Sequence, residues 1–125
     1  MASRDASLDA VADAVIRTTL HSLPEPVRVA AESCVIEAVN LTDCLAAGEA
    51  LEDDLLGLFE GAALTEAEPE SPLQLPRIRL FIDNLWEFAE RDTSRFRDEV
   101  RITLLHELGH YLGYNEDEIA HRGLE

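Results

Sequence analysis

Lysine is absent from this sequence of 125 residues, and all ten basic side chains are arginine. The absence of lysine excludes a lysine nucleophile, a Schiff base and the phosphate-binding loop that depends on a lysine. Acidic residues number 26, which sets the formal net charge at -16. A charge of this sign repels phosphate backbones and anionic lipid headgroups. We therefore expect neither nucleic acid nor a membrane surface among the partners.

Long hydrophobic runs and cysteines are also scarce. No stretch approaches the roughly 18 apolar residues of a membrane span, and the N-terminus lacks the apolar segment of a secretory signal, so we expect a cytoplasmic protein. Cys34 and Cys44 lie too far apart for a C-x-x-C redox pair or a zinc knuckle. We expect two reduced, buried thiols rather than the alternative, a disulfide.

Apolar residues are sufficient for one core. The hydrophobic fraction is 46%, although aromatic residues contribute only 6%. A chain of this length most often forms one domain, and neither a repeat nor a linker divides it. We therefore expect a single domain over residues 1–125, with residues 62–76 as an acidic, proline-containing surface loop.

Helical and strand patterns alternate along the chain. Apolar residues at helical spacing predict an amphipathic helix over residues 5–21. Alternation places Ile78, Leu80 and Ile82 on one face of a strand. The further predicted elements are one or two helical turns at 27–33, strands at 34–39, 55–61 and 77–82, a helix capped by Thr42 or Asp43 that runs through Ala50, and a helix at 84–90 with Trp86 and Phe88 in the core or at an interface.

A longer helix follows, with a capping cluster at residues 92–94 and a stop at Gly113. Asn115 is a candidate cap for a last short helix. Together these elements predict an α+β fold, in which a small mixed sheet packs against several helices.

The long helix carries the sequence His106-Glu107-Leu108-Gly109-His110. Histidines four residues apart lie on the same side of a helix, so both can reach one ion at Zn–N distances of about 2.0–2.1 Å. Glu107 points roughly 100° round from His106, where it can act as general base on a metal-activated water. Zinc is the first choice, and this ligand set also suits other divalent ions.

The polar sector of this helix indicates a cleft rather than two solvated histidines. Apolar side chains, Tyr111 among them, cover most of its circumference, and the uncovered sector holds His106, His110, Thr103 and Glu99. We expect Glu99 and Thr103 to form cleft walls, the alternative being that they orient His106.

A third ligand is expected after the helix. Gly113 allows the chain to fold back, and Glu116 follows ten residues after His106. Two histidines and one carboxylate leave a fourth position for water, which is the catalytic arrangement.

Residues 106–116 resemble the extended zincin motif H-E-x-x-H-x-x-G-x-x-H/D, and the 55–61 and 72–82 segments resemble the minimal zincin-like metallopeptidases of bacteria. The resemblance implies a compact cytoplasmic protein with one Zn²⁺ ion, held by His106, His110 and an acidic third ligand, and with Glu107 as general base. Aspartate is expected at the third position, so Glu116 is a departure, and Asp117 is the alternative ligand. The only methionine is Met1, so the Met-turn of larger metzincins is not expected.

The resemblance also implies that a strand beside the zinc helix binds an extended peptide by strand addition. The candidates are residues 55–61 or, alternatively, 77–82, and plain sheet core is the alternative for both. Gly57 and Leu58 are then candidate substrate contacts, and Tyr114 is a candidate hydrogen-bond donor to a reaction intermediate. Gly57 and Gly61 suit either a close backbone approach or a turn.

The leading hypothesis is a zinc metallopeptidase that acts on a peptide or protein, with cationic substrates favoured by the acidic surface. The alternative is a zinc-binding interaction module with little or no turnover, which a fourth protein ligand such as His121 would indicate. A third possibility is an acidic scaffold without metal. The sequence does not predict the oligomeric state.

Overall fold

The computed structural model describes residues 4–63 and 75–113. Within these ranges the chain forms an α+β fold, as predicted. Its elements, in order, are α1 (Arg4–Ser22), α2 (Glu25–Ala31), β1 (Val35–Val39), α3 (Leu41–Ala46), β2 (Gly57–Glu60), β3 (Arg77–Phe81), α4 (Ile82–Phe88) and α5 (Thr93–Tyr111).

The three strands form a small mixed sheet in the order β1-β3-β2. β1 runs parallel to β3, with Ile36 opposite Ile78, and β2 runs antiparallel to β3, with Phe59 opposite Ile78. β3 is therefore the central strand, paired along both edges. β1 and β2 are the outer strands of this sheet among the described residues.

The core lies between the sheet and the two long helices. Ile78 and Leu80 of β3 have no exposed surface and pack in one cluster with apolar residues of α1 and α5. Those helical residues recur every four positions, as the helical periodicity predicts: Leu8, Ala12, Ile16, Phe96, Val100, Leu104 and Leu108. α5 thus lies across the sheet with one apolar side fixed, which determines where its polar side faces.

β3 is buried on its other face too, which the alternation does not predict. Arg79 is only 3% exposed and Phe81 is fully buried. The Arg79 guanidinium donates to Glu49 at 2.9 Å, to Glu60 at 2.8 Å and to Cys44 Sγ at 3.5 Å. Burial acts to lower the pKa of Arg79, but the bonds and charges of Glu49 and Glu60 outweigh it and raise that pKa. The segment between β1 and β2 therefore covers this face.

Several predicted boundaries are wrong by a few residues. Ile82 is the first residue of α4 rather than the last residue of a strand, because β3 passes directly into the helix. α3 ends at Ala46, not Ala50. Its N-cap is Asn40, so the prediction that Thr42 or Asp43 caps it is wrong, and both lie inside the helix.

Both ends of α5 follow the sequence signals. The Asp92 carboxylate accepts a hydrogen bond from the backbone N–H of Arg95 at 3.0 Å, which caps the first turn. Gly113 follows the helix with a φ of 86°, a left-handed conformation that glycine adopts without strain.

Both cysteines are free thiols, Cys34 being buried and Cys44 partly buried. Burial raises the pKa of Cys34 to about 11. No described helix is long and apolar enough to cross a membrane. The predicted acidic loop falls mostly on residues 64–74, and these, like the helix predicted after Asn115, lie outside the described residues.

Candidate metal centre

The two histidines of the motif lie together in the last turns of α5. His106 Nε2 and His110 Nε2 are 3.2 Å apart, and the two rings are nearly perpendicular, at 83°. Two nitrogens that bind one tetrahedral ion at the usual Zn–N distance lie about 3.3–3.4 Å apart. The pair therefore fits two ligand positions of a single ion almost without movement.

Glu107 completes a cluster with the histidines. The candidate ligand atoms of His106, Glu107 and His110 all lie within 4.8 Å of one another. All three side chains are partly buried, which leaves them access to solvent and substrate. Two imidazoles and a carboxylate are donors that a divalent ion accepts, with zinc first among them. The structure thus brings together the three residues that the motif predicts as site residues.

β2 lies along the polar side of α5, beside this cluster. A Cβ atom at Gly57 would come within 2.6 Å of Thr103 Cγ2 and 3.3 Å of Glu107 Cγ. Glycine is required here for space, because any side chain would push the strand away from the helix. At the other end of β2, the Phe59 ring packs 5.7 Å from the ring of Tyr111. The edge strand therefore runs beside the whole turn that carries the histidines.

The pairing of the strands excludes one of the two candidates for strand addition, and peptide binding by the other stays a prediction. β2 is an outer strand in contact with α5, whereas β3 is the central strand and both of its edges are paired. The prediction that residues 77–82 could bind a peptide by strand addition is therefore wrong. Leu58 lies opposite Arg79 in the register, so its side chain is on the sheet face away from α5. Of the two predicted contact residues, only Gly57 touches the motif helix.

A cleft of about 280 Å³ opens between β2, α4 and α5, with the motif at one end. Its walls include Glu99 and Thr103, as the polar sector of the helix predicts. The residues around it are Leu56, Gly57, Phe88, Glu99, Ile102, Thr103, His106 and Glu107.

Three apolar walls of this cleft were not predicted: Leu56, Phe88 and Ile102. Ile102 could have been predicted from the sequence, because it lies four residues before His106 and so on the same side of α5. Phe88 belongs to another helix, and no local spacing connects it to the motif. At 60% exposure it is a surface aromatic, and its neighbour Trp86 packs edge-on against Phe96.

Tyr114, Glu116, Asp117 and His121 lie outside the described residues. The third ligand therefore stays a prediction, with Glu116 and Asp117 both open. The role of Tyr114 near a reaction intermediate is likewise untested.

A search of the curated proteins found no match. A family model described as zincin-like metallopeptidase matches residues 30–124, which include the whole sheet, the motif helix and the predicted third ligand. Together with the His-Glu-His cluster, this match indicates a metal site suited to zinc. On this evidence the chain belongs to the zincin-like metallopeptidase family.

Proposed function

We propose that this protein is a zinc-dependent peptidase in which Glu107 is the general base. One observation carries the proposal: His106, Glu107 and His110 converge at the end of a cleft, directly beside an edge strand. The histidine pair alone would suit a structural metal. A carboxylate next to the ligands and an adjacent place for an extended substrate favour hydrolysis.

His106 and His110 would hold one ion, with Glu116 or, alternatively, Asp117 as third ligand. When bound, a divalent ion at this position supplies Lewis acidity, which polarises a carbonyl and brings the pKa of a bound water down to about 7. Three protein ligands leave the fourth position to water or substrate.

Glu107 moves the proton in this mechanism. Its carboxylate lies within 4.8 Å of the candidate ligand nitrogens of His106 and His110, so it would be close enough to accept a proton from a water activated there. Glu107 takes a proton from the water that attacks the peptide carbonyl. It then passes that proton to the leaving amine.

The outer edge of β2 is the proposed place for the substrate backbone. β2 pairs only with β3 among the described strands, and an extended peptide would pair with the backbone groups along its other edge. A peptide added there would pass beside the histidine turn, because β2 spans from Thr103 to Tyr111 along α5. With a net charge of -16, the protein attracts cationic peptides in preference to acidic ones.

Replacing Glu107 with glutamine tests the mechanism. We expect hydrolysis of a mixed peptide library, followed by mass spectrometry with zinc present, to fall by about 10²–10⁴-fold, the usual contribution of a general base. Zinc stoichiometry should not change, because the histidines remain. Glu87→Gln is the matched control, since Glu87 is exposed on α4 and pairs with Arg91.

Unchanged turnover in Glu107→Gln would exclude the proposed mechanism. A wild-type protein that binds zinc stoichiometrically but cleaves no member of the library would exclude the peptidase and favour a zinc-binding interaction module. Absence of stoichiometric metal after purification without chelators would favour an acidic scaffold.

A further inference from the structure

Glu99 is a carboxylate set inside the cleft beside the motif. It lies on α5 seven residues before His106, which is two helical turns away on nearly the same side, or about 10 Å along the axis. It is partly buried and lines the same cleft as His106 and Glu107. A substrate residue held near the histidines would therefore reach Glu99 only with a long side chain.

No described arginine neutralises Glu99. It makes no hydrogen bond or ion pair with any residue in the ranges 4–63 and 75–113, whereas Glu87 and Glu90 pair with Arg91 and Arg95. Arg97 and Arg101 line a different groove, between α1 and α5. A partly buried carboxylate without a partner loses solvation free energy that a cation from outside can restore.

Apart from Glu99, Thr103 and the motif residues at one end, the walls of the cleft are apolar. Phe88 is 60% exposed and Ile102 is 36% exposed, so both present apolar surface to an incoming group. Lysine and arginine have apolar stems that pack on such walls while the charged head reaches a polar partner. The cleft volume of about 280 Å³ is below the range of about 300–1,000 Å³ for whole ligands, which suits one side chain.

Other side chains fit less well. An aliphatic side chain would cover Phe88 and Ile102 but leave Glu99 unpaired, and an acidic one would be repelled by Glu99. A short polar side chain would not span the two turns from His106 to Glu99. The cleft therefore favours arginine or lysine over every other residue type.

We infer that this cleft is a specificity subsite for an arginine or lysine side chain of a peptide substrate, with Glu99 binding the cationic head and Phe88 and Ile102 the stem. The inference rests on the proposed peptidase function, since it needs a peptide bound beside His106.

Binding of short capped peptides tests the subsite. The peptides differ only at one central residue, which is arginine, lysine, citrulline, norleucine or glutamate. Affinity is measured by fluorescence anisotropy with zinc-loaded protein in a Glu107→Gln background, so that the peptides stay intact. Citrulline has the shape of arginine without its charge, and the ratio of the two affinities therefore isolates the charge.

We expect the arginine peptide to bind about three- to tenfold more tightly than the citrulline peptide, as for a charge-assisted hydrogen bond that is partly exposed. Glu99→Gln should bring this ratio to about one. Asp98→Asn is the matched control, because it removes the same charge from the neighbouring residue, which faces the groove between α1 and α5. That variant should keep the ratio.

Phe88→Ala distinguishes binding of the apolar stem of the substrate side chain from binding of its cationic head. Since Phe88 is largely exposed, the variant should fold normally, which circular dichroism checks. It should weaken the arginine and citrulline peptides by the same factor and leave their ratio unchanged.

An arginine-to-citrulline ratio that survives Glu99→Gln, or that falls equally in Asp98→Asn, would overturn the subsite even if the protein cleaves peptides. Failure of every arginine and lysine peptide to bind would overturn it as well. A ratio that depends on Glu99 in a protein that cleaves nothing would support the subsite and reject the peptidase.

Discussion

A single carboxylate, Asp83, joins the start of α3 to the start of α4. It accepts hydrogen bonds from the backbone N–H groups of Leu41 at 2.8 Å and Thr42 at 3.0 Å, and from the Thr42 hydroxyl at 2.9 Å. Burial acts to raise the pKa of Asp83, but these hydrogen bonds outweigh it and hold the pKa below its usual value. Asp83 thus caps a helix from a distance.

Replacing Asp83 with asparagine should lower the free energy of unfolding by about 1 kcal/mol at pH 7, the usual cost of a lost cap. Because the folded state lowers the pKa, the carboxylate stabilises fully above the unfolded pKa of about 3.9, and this contribution is lost as the pH falls through the folded pKa. The difference between the wild type and Asp83→Asn should therefore shrink below about pH 4. Urea unfolding of the two proteins at pH 7 and at acid pH measures the destabilisation and its decrease with falling pH.

Asp43→Asn is the control for this prediction. Asp43 is exposed on α3, the helix that Asp83 caps, and it accepts a long hydrogen bond from Asn40 at 3.4 Å. Equal destabilisation by the two substitutions, or a difference that does not change at acid pH, would contradict the role of Asp83.

Residues with local partners could be predicted from the sequence, and those with distant partners could not. Asp92 caps α5 through Arg95, only three residues on, and its type and position suffice to identify it. Asp83 caps a helix more than forty residues earlier, so Thr42 and Asp43 were the nearest plausible caps. The burial of Arg79 also depends on two glutamates that are distant in sequence.

At the scale of elements, the contact between β2 and α5 decides the geometry of the site. By sequence, Gly57 and Gly61 both suit a close approach or a turn. Gly57 proves to be a close approach, against Thr103 and Glu107. Gly61 follows the strand and is both a turn, with a φ of 107°, and a close approach, because a Cβ atom there would come within 2.9 Å of Pro76 Cα. The helix periodicity and the spacing of the motif could be predicted because they are local. The order of the strands could not, because pairing joins residues far apart in the chain.

Replacing Gly57 with alanine should lower the free energy of unfolding by about 1–3 kcal/mol, because the new Cβ overlaps Thr103 Cγ2. Thr103→Ser removes that methyl group, so the double variant should be more stable than the sum of the two single effects predicts. A double-mutant cycle in urea measures the coupling.

Gly48→Ala is the matched control for the cycle. Gly48 has a φ of 92°, and a Cβ atom added there would meet nothing within 4 Å, so its alanine variant is strained only in the backbone. Thr103→Ser should not rescue it. Additive effects of Gly57→Ala and Thr103→Ser would show that β2 and α5 are not in close contact.

At the scale of the whole molecule, charge is the dominant feature. There are 26 acidic residues and only ten arginines, so ion pairs cannot neutralise all the carboxylates. Among the described residues, the glutamates that do form ion pairs include Glu49, Glu60, Glu87 and Glu90. Repulsion among the remaining carboxylates opposes the compact state. Composition alone is enough to predict this property, because it does not depend on the fold.

Salt should therefore stabilise the protein. Raising NaCl from about 20 mM to about 200 mM reduces the range of electrostatic repulsion to less than about 10 Å. We expect the Tm at pH 7 to rise by a few degrees in differential scanning calorimetry, with KCl giving the same result as NaCl. A Tm that falls with salt would mean that the ion pairs outweigh the repulsion.

The position of His110 has a consequence for how tightly an ion can be held. His110 is the next-to-last residue of α5, and the ends of helices fray. The histidine pair exists only while the final turn stays wound, so any ion it binds must also keep that turn from unwinding. Tyr111, 2% exposed and packed against Phe59, holds this end of the helix against the sheet. The contact between Tyr111 and Phe59 therefore contributes to the affinity for the ion, although neither residue is a ligand.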